Sequence, residues 1–380
     1  MISDHTSDFE LTPGQIWLNA ASEGPIPTVS AKALLGAIQW KLSPERLTIS
    51  KFIEVPVLLK RVIGRLINVD PEDVILGNSA TYGMHLLSHG LDLYDGDEVI
   101  LMRNDFPTDI LPWLHLKENG VRVIQLQTAG PILNVAEIEK AITVHTKVVC
   151  LPMVHSFSGW SLDIDAIGAL CKKHDIVFVV NMSQVIGVYP VDMSVMPVDA
   201  IICAGYKWLL GPYGTGFCWI KPELRRQFKY DQSYWISLMD EQSLQSEGEI
   251  SLPFKDNARK YDVFGTANFF NFVPWKVSIE YLLGLGIDVV SAHNHCLIEQ
   301  FSCSLDKSSF DILSPSFKED NSPIIVISHK DKIRNKAISD MLWENGVHTA
   351  YWKNNIRISP HIYNTQADIE RLISLLDPGR

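Results

Sequence analysis

From about residue 60 to residue 220 the chain alternates short apolar runs with longer stretches of helical spacing. The runs are DVILG (73–77), DEVILM (97–102), VRVIQL (121–126), KVVCLPM (147–153), DIVFVV (175–180), DAIICA (199–204) and GFCWI (216–220). They are rich in Val and Ile and mostly lack a polar residue at every second position, which predicts strands covered on both faces. Between them lie helix-length segments such as ATYGMHLLSHGLDL, TDILPWLHLKENG and DIDAIGALCKKHD. The last opens on Asp and closes on Lys-Lys-His, matching the helix dipole at both ends. Such alternation predicts an α/β domain with a mostly parallel sheet. Residues 225–265 break the pattern: they are polar and aromatic with little periodicity, and read as a long surface excursion of the kind used for lids and interfaces. From about residue 272 the order becomes helix (PWKVSIEYLLGLG), helix (VVSAHNHCLIEQF), strand (PIIVIS), helix (DKIRNKAISDMLWENG), strand (IRISP), helix (TQADIERLISLL). The expected division is therefore an N-terminal segment and large domain over 1–270 and a small α+β domain over 271–380.

Bulk properties narrow the classes without changing that architecture. A chain of 380 residues suits two cores better than one. With 46% hydrophobic and 20% charged residues it is an ordinary globular composition. A net charge of −11 argues against a nucleic-acid surface, which needs an excess of Lys and Arg. No apolar stretch reaches bilayer length, so no membrane partner is expected. The start, MISDHTSDFELTPGQ, has no apolar run behind a basic segment, against a secretory signal. The six cysteines fall singly, at 150, 171, 203, 218, 296 and 303, with no spacing that suggests zinc or a redox couple. No metal site is expected, and a reducing, cytoplasmic setting fits.

The chemistry centres on CAGYKWLLGPYGTGF (203–217). Here Lys207 follows a buried strand and precedes a turn rich in glycine. A lysine so placed is partly desolvated, which lowers its pKa and makes it a competent amine nucleophile. On these residues alone, a solvated loop lysine remains an equal reading.

The rest of the chain shifts the balance, because it resembles the class V aminotransferase group of fold-type I pyridoxal-phosphate (PLP) enzymes. That group includes cysteine desulfurases, selenocysteine lyases, kynureninases and isopenicillin-N-epimerase-like proteins. The similarity runs in order from WLNAASEGPIP (17–27) to RISPHIYNTQADI (357–369). It implies a fold-type I architecture, PLP carried by Lys207 as a Schiff base, and a homodimer with composite active sites acting on a small-molecule amino-acid substrate. In GNSATYGMHLL (77–87), Ala80 and Thr81 would cradle the phosphate at a helix N-terminus. In DGDEVILMRNDFPTDILPW (95–113), Phe106 takes the position of the ring that covers the pyridine face. Ser156, in VHSFSGW (154–160), stands near the phenolic oxygen where relatives often carry Asn. In VVNMSQVIGVYPVD (179–192), Gln184 would hydrogen-bond that oxygen. Tyr206 flanks the lysine where many relatives place a phosphate-binding His. Thr266, in FGTANF (264–269), would reach the partner subunit's phosphate. Arg357, in NNIRISPHIYNTQADI (354–369), would clamp the substrate carboxylate, with Asn19 completing that site.

One departure stands out. The family's Asp-x-x-Gln-x-x-Gly has Asn181 in place of Asp, so the charge that keeps the pyridine nitrogen protonated is missing there. Three readings stay open: a reaction needing only a modest electron sink, an inactivated variant, or a substitute carboxylate elsewhere, with Asp192 and Asp199 looking like ordinary turn and strand-start residues. The segment ENGVHTAYWKNNIRIS also lacks the cysteine that persulfide-forming desulfurases carry before the Arg strand. The resemblance therefore favours a carbon–sulfur (β-elimination) lyase on a cysteine-like substrate. An epimerase or aminotransferase is the alternative, and a catalytically weakened PLP-fold protein the second.

Overall fold

The computed structural model describes residues 4–228, 234–239, 242, 245–249, 258–265, 267–315 and 322–377. In chain order the strands are β1 (Ile16–Trp17), β2 (Val74–Gly77), β3 (Glu98–Met102), β4 (Arg122–Leu126), β5 (Thr146–Pro152), β6 (Val177–Asn181), β7 (Ala200–Ala204), β8 (Gly216–Ile220), β9 (Phe310–Ile312), β10 (Ile325–His329), β11 (Val347–His348), β12 (Ala350–Trp352) and β13 (Asn355–Ile358). Every apolar run between 73 and 220 becomes one strand of a single seven-stranded sheet, in the order β2-β8-β7-β6-β5-β3-β4. Neighbours from β7 to β4 pair parallel, while β8 pairs antiparallel with both β7 and β2. The sheet is thus mostly parallel, and β2, β3, β5, β6 and β7 all point the same way.

Strands β2, β3, β7 and β8 are buried at every position, as their unbroken apolar runs require. The edge strand β4 differs, with Arg122 and Gln125 exposed. Helices cover both faces. They include α1 (Thr28–Leu42), α2 (Ile49–Ile67), α3 (Ala80–Gly90), α4 (Pro107–Leu114), α5 (Val135–Ala141) and α6 (Ile164–Lys173). The Asp cap of α6 is real: Ala166 N–H donates to Asp163 Oδ1 at 3.0 Å, and Lys172 and Lys173 occupy the last turn.

Helix Phe269–Leu285 turns Phe272, Trp275, Ile279 and Leu282 inward at helical spacing and packs on α1 and α2. Trp275 lies directly under the lysine loop, where a Cβ on Gly211 would come within 2.3 Å of its ring. Beyond it, Ile287–Ser304, Arg334–Glu344 and Gln366–Leu376 surround a second, four-stranded antiparallel sheet ordered β12-β13-β10-β9. No described helix is long and apolar enough to cross a membrane.

The N-terminal segment ties the two sheets together. β1 pairs parallel with β11, and Asn19 bridges to Ser359. Gly24 N–H donates to the Tyr206 carbonyl at 2.8 Å, so close that a Cβ on Gly24 would lie 2.1 Å from the Lys207 carbonyl oxygen. Only glycine fits that approach.

Candidate active site

The C-terminal ends of the parallel strands converge on one place, as ligand sites in open α/β sheets do. Ala80 follows β2, Phe106 follows β3, Ser156 follows β5, Asn181 ends β6 and Lys207 follows β7. Lys207 is 7% exposed, and its Nζ lies 5.1 Å from the centroid of the Phe106 ring. Burial pushes its amine down to about 8, and the nearby Arg357 charge pushes the same way. The solvated reading of Lys207 is therefore excluded.

Arg357, on β13 of the small sheet, is 3% exposed and reaches the same place. One terminal nitrogen donates to the Ser156 carbonyl at 2.8 Å. The other donates to Asn19 Oδ1 at 3.2 Å and to the Ser22 hydroxyl. Its Nε is buried with no hydrogen-bond partner among the described residues. Burial lowers the guanidinium to about 10.

Gln184 holds the floor of the site. Trp208 Nε1 donates to Gln184 Oε1 at 2.8 Å, which orients the amide because an indole N–H only donates. Gln184 Nε2 then donates to the Ala21 carbonyl and to Ser156 Oγ, both at 3.1 Å. Ser156 accepts that bond, so its own hydroxyl hydrogen is available to a ligand.

Asn181, 8% exposed, donates through Nδ2 to both oxygens of Asp109, at 2.8 and 3.0 Å. Asp109 sits on α4 and is fully enclosed beside a second buried carboxyl, Asp105. Desolvation pushes Asp109 up to about 7, against the downward pull of the Asn181 amide and the Lys207 charge. Asp105 is driven well above the carboxylate range, first by burial and then by the Asp109 charge. Asp192 and Asp199 do stay at the periphery: Asp192 accepts from Asn68 at 2.8 Å, and Asp199 from the Phe178 N–H at 3.0 Å.

The candidate anion end is the first turn of α3. Ser79 caps it, accepting from Tyr82 N–H at 3.2 Å, while the remaining first-turn N–H groups have no partner within the helix. Ala80 and Thr81 supply those groups, and the Thr81 hydroxyl meets that of Thr108 at 2.8 Å. Tyr206 is half-buried against the Tyr213 ring at 4.7 Å, and burial raises its phenol to about 12. Thr266 lies outside the described residues, as do parts of the 225–265 excursion.

Sequence reasoning missed three contributors: Asp109, Ser22 and His361. Asp109 was within a quoted segment, but the signal is a contact across 72 positions, which spacing cannot carry. His361 is fully buried, stacks on Trp208 at 5.5 Å between centroids, and meets the Trp208 carbonyl at 3.0 Å. Ile362 N–H donates to its Nδ1 at 2.7 Å, so the proton belongs on Nε2, which donates to Trp208. The imidazole is thereby fixed neutral behind the lysine loop.

A buried amine, a helix N-terminus suited to a phosphate, an aromatic face over the amine and a buried carboxylate match what PLP requires. Comparison with known proteins agrees. The aminotransferase class-V family model matches residues 59–372. A probable cysteine desulfurase of Methanothermobacter thermautotrophicus is 23% identical over 308 residues, covering 80% of this chain and 75% of the relative. The uncharacterized aminotransferase YcbU of Bacillus subtilis is 22% identical over 322 residues, covering 84% of this chain and 83% of the relative. Among solved structures, a complex between the cystine C-S lyase C-DES and its reaction product cysteine persulfide superposes with a TM-score of 0.87 at 20% identity, covering 96% of this chain and 98% of that one. The cysteine desulfurase CsdA of Escherichia coli follows with a TM-score of 0.81 at 18% identity, covering 98% and 96% of the two chains. This chain belongs to the aminotransferase class-V family.

Proposed function

We propose that this protein is a PLP-dependent carbon–sulfur lyase that removes a sulfur-bearing substituent from a cysteine-like amino acid. The observation that carries this reading is Lys207 and Arg357 buried in one site, the first with its amine lowered to about 8 and the second with an Nε unpaired among the described residues. Bound PLP supplies an electron-withdrawing ring that stabilises negative charge at the substrate α-carbon.

The chain's own groups do the rest. Lys207 Nζ is the amine that holds the cofactor. Once free, its lowered pKa leaves an appreciable neutral fraction near physiological pH, and that fraction can take a proton at a fixed position, which is what a general base needs. Arg357 offers a planar fork to the substrate carboxylate, steadied by Asn19, Ser22 and the Ser156 carbonyl. Ala80 and Thr81 N–H groups would hold the phosphate, Phe106 would cover the ring face, and the Ser156 hydroxyl, oriented by Gln184, would donate to the phenolic oxygen. Tyr206 borders the phosphate. Elimination is favoured over persulfide formation because no cysteine lies between residues 345 and 358. The same reading makes the protein a cytoplasmic homodimer, with Thr266 reaching the partner subunit's phosphate.

The test is the absorption spectrum of the purified protein with PLP, before and after cysteine, cystine and S-substituted cysteines. The expected result is a PLP band that changes on mixing, with pyruvate released, and neither event in Lys207→Ala. Release of a racemised amino acid or a non-pyruvate keto acid would move the reading to epimerase or aminotransferase. A PLP band indifferent to every amino acid would mark a catalytically weakened protein. A protein that takes up no PLP would overturn the reading.

A further inference from the structure

We propose that Asp109 is a positioning residue that supplies, through Asn181, the fixed negative charge that keeps the PLP ring nitrogen protonated in this protein. The inference rests on the PLP reading and adds to it the origin of the charge.

The orientation of Asn181 is set by its neighbours. Ser183 N–H can only donate, and it donates to Asn181 Oδ1 at 2.9 Å. The amide nitrogen must then face Asp109, where it meets both carboxylate oxygens. A carboxylate bonded to the N–H side of an amide polarises it, placing more negative charge on the amide oxygen. That oxygen has two lone pairs and Ser183 occupies one. Asn181 is therefore not an inert replacement at the end of β6: it presents an acceptor strengthened by a buried anion.

Charge accounting around α4 points the same way. The titratable groups facing Asp109 are Asp105 from the loop before α4, Cys150 from β5 and Lys207 from the loop after β7. Two carboxyls enclosed together cannot both ionise, so at least one proton stays on the pair. Asp105 is its natural keeper: its Oδ1 accepts only the Phe106 N–H, at 2.7 Å, and its Oδ2 has no partner among the described residues. Asp109, with two amide contacts and Lys207 nearby, is the one that ionises. Yet no ion pair joins it to any cation among the described residues. A buried negative charge without a cation is costly. A protonated ring nitrogen seated against Asn181 provides that cation. It also gives the ring the electron-withdrawing character that the chemistry needs.

The experiment loads full-length protein with PLP labelled with 15N at the ring nitrogen and reads that resonance by NMR across neutral pH. It compares wild type, Asp109→Asn, and the exchanged variant Asp109→Asn/Asn181→Asp. In wild type the resonance is expected at the protonated position. In Asp109→Asn it moves to the unprotonated position, and the PLP dissociation constant rises roughly tenfold or more, as expected for loss of a charge-assisted contact. The exchanged variant, which returns a carboxylate to the pair from the other side, restores the protonated resonance. A wild-type resonance at the unprotonated position overturns the inference, and so does a protonated one in Asp109→Asn. Should Asp109→Asn fail to fold, the wild-type and exchanged proteins still decide, since an unprotonated ring in either sinks it. Wild-type protein that takes up no PLP fails at an earlier, visible step and overturns the function reading itself.

Discussion

Lys207 has to be two things at once, a buried group that the fold tolerates and an amine that reacts. Desolvation serves both, since it favours the neutral form. With the amine near 8, apo-protein should take up PLP at a rate that rises about tenfold per pH unit below that value and levels off above it. A solvated lysine would keep gaining up to about 10.4. Stopped-flow uptake from pH 6 to pH 10 distinguishes the two, and a profile still climbing at the top of that range would place Lys207 in water. The same residue shows what sequence could and could not say. Its position after an apolar run and before a glycine-rich turn was legible. Its burial depended on Arg357 and the N-terminal segment closing over it, and those lie far away along the chain.

Single elements were read well wherever burial on both faces left a continuous apolar run, because such runs need no partner to be recognised. All seven large-sheet strands appear within a residue or two of their apolar runs. Short strands that rely on partners, such as β9 and β12, left no comparable trace. At this scale the anion site depends on how closely β8 approaches the turn before α3. A Cβ on Gly216 would sit 2.5 Å from the Ser79 carbonyl carbon and 2.7 Å from its Cα, both backbone atoms that cannot swing aside. Gly216→Ala should therefore cost about 1–3 kcal/mol in overpacking and push the first turn of α3 off its position. The expected readout is a PLP dissociation constant raised on the order of tenfold with a lowered melting temperature. An unchanged affinity would mean that the phosphate is held elsewhere. The buried Lys60–Asp262 pair, 2.9 Å apart, steadies the same turn from outside, since Asp262 also accepts the Leu76 N–H at 2.8 Å.

Across the whole molecule the small sheet is coupled to the lysine loop through His361, whose pKa burial lowers to about 4. The unfolded chain binds a proton at this residue below about 6.5, whereas the folded protein refuses it until near 4. The folded state thus binds fewer protons in that window, so stability is full above it and falls as pH drops through it. The loss attributable to His361 is on the order of 3 kcal/mol at the bottom of the window. Chemical denaturation of wild type and His361→Gln at pH 7, 5.5 and 4 should show a shallower fall in the variant. Equal slopes would assign the acid sensitivity to other histidines held neutral by desolvation, such as the half-buried His155.

Asn19 and Arg357 meet across 338 positions of chain. Contacts so distant in sequence are the last that a growing polypeptide can make. While the chain is being synthesised, the large sheet can assemble from residues already out, with the N-terminal strap left waiting for a partner not yet made. A nascent protein can in this way own a lysine loop well before it owns the buried guanidinium beside it. The pocket around Lys207 is completed only when β13 arrives.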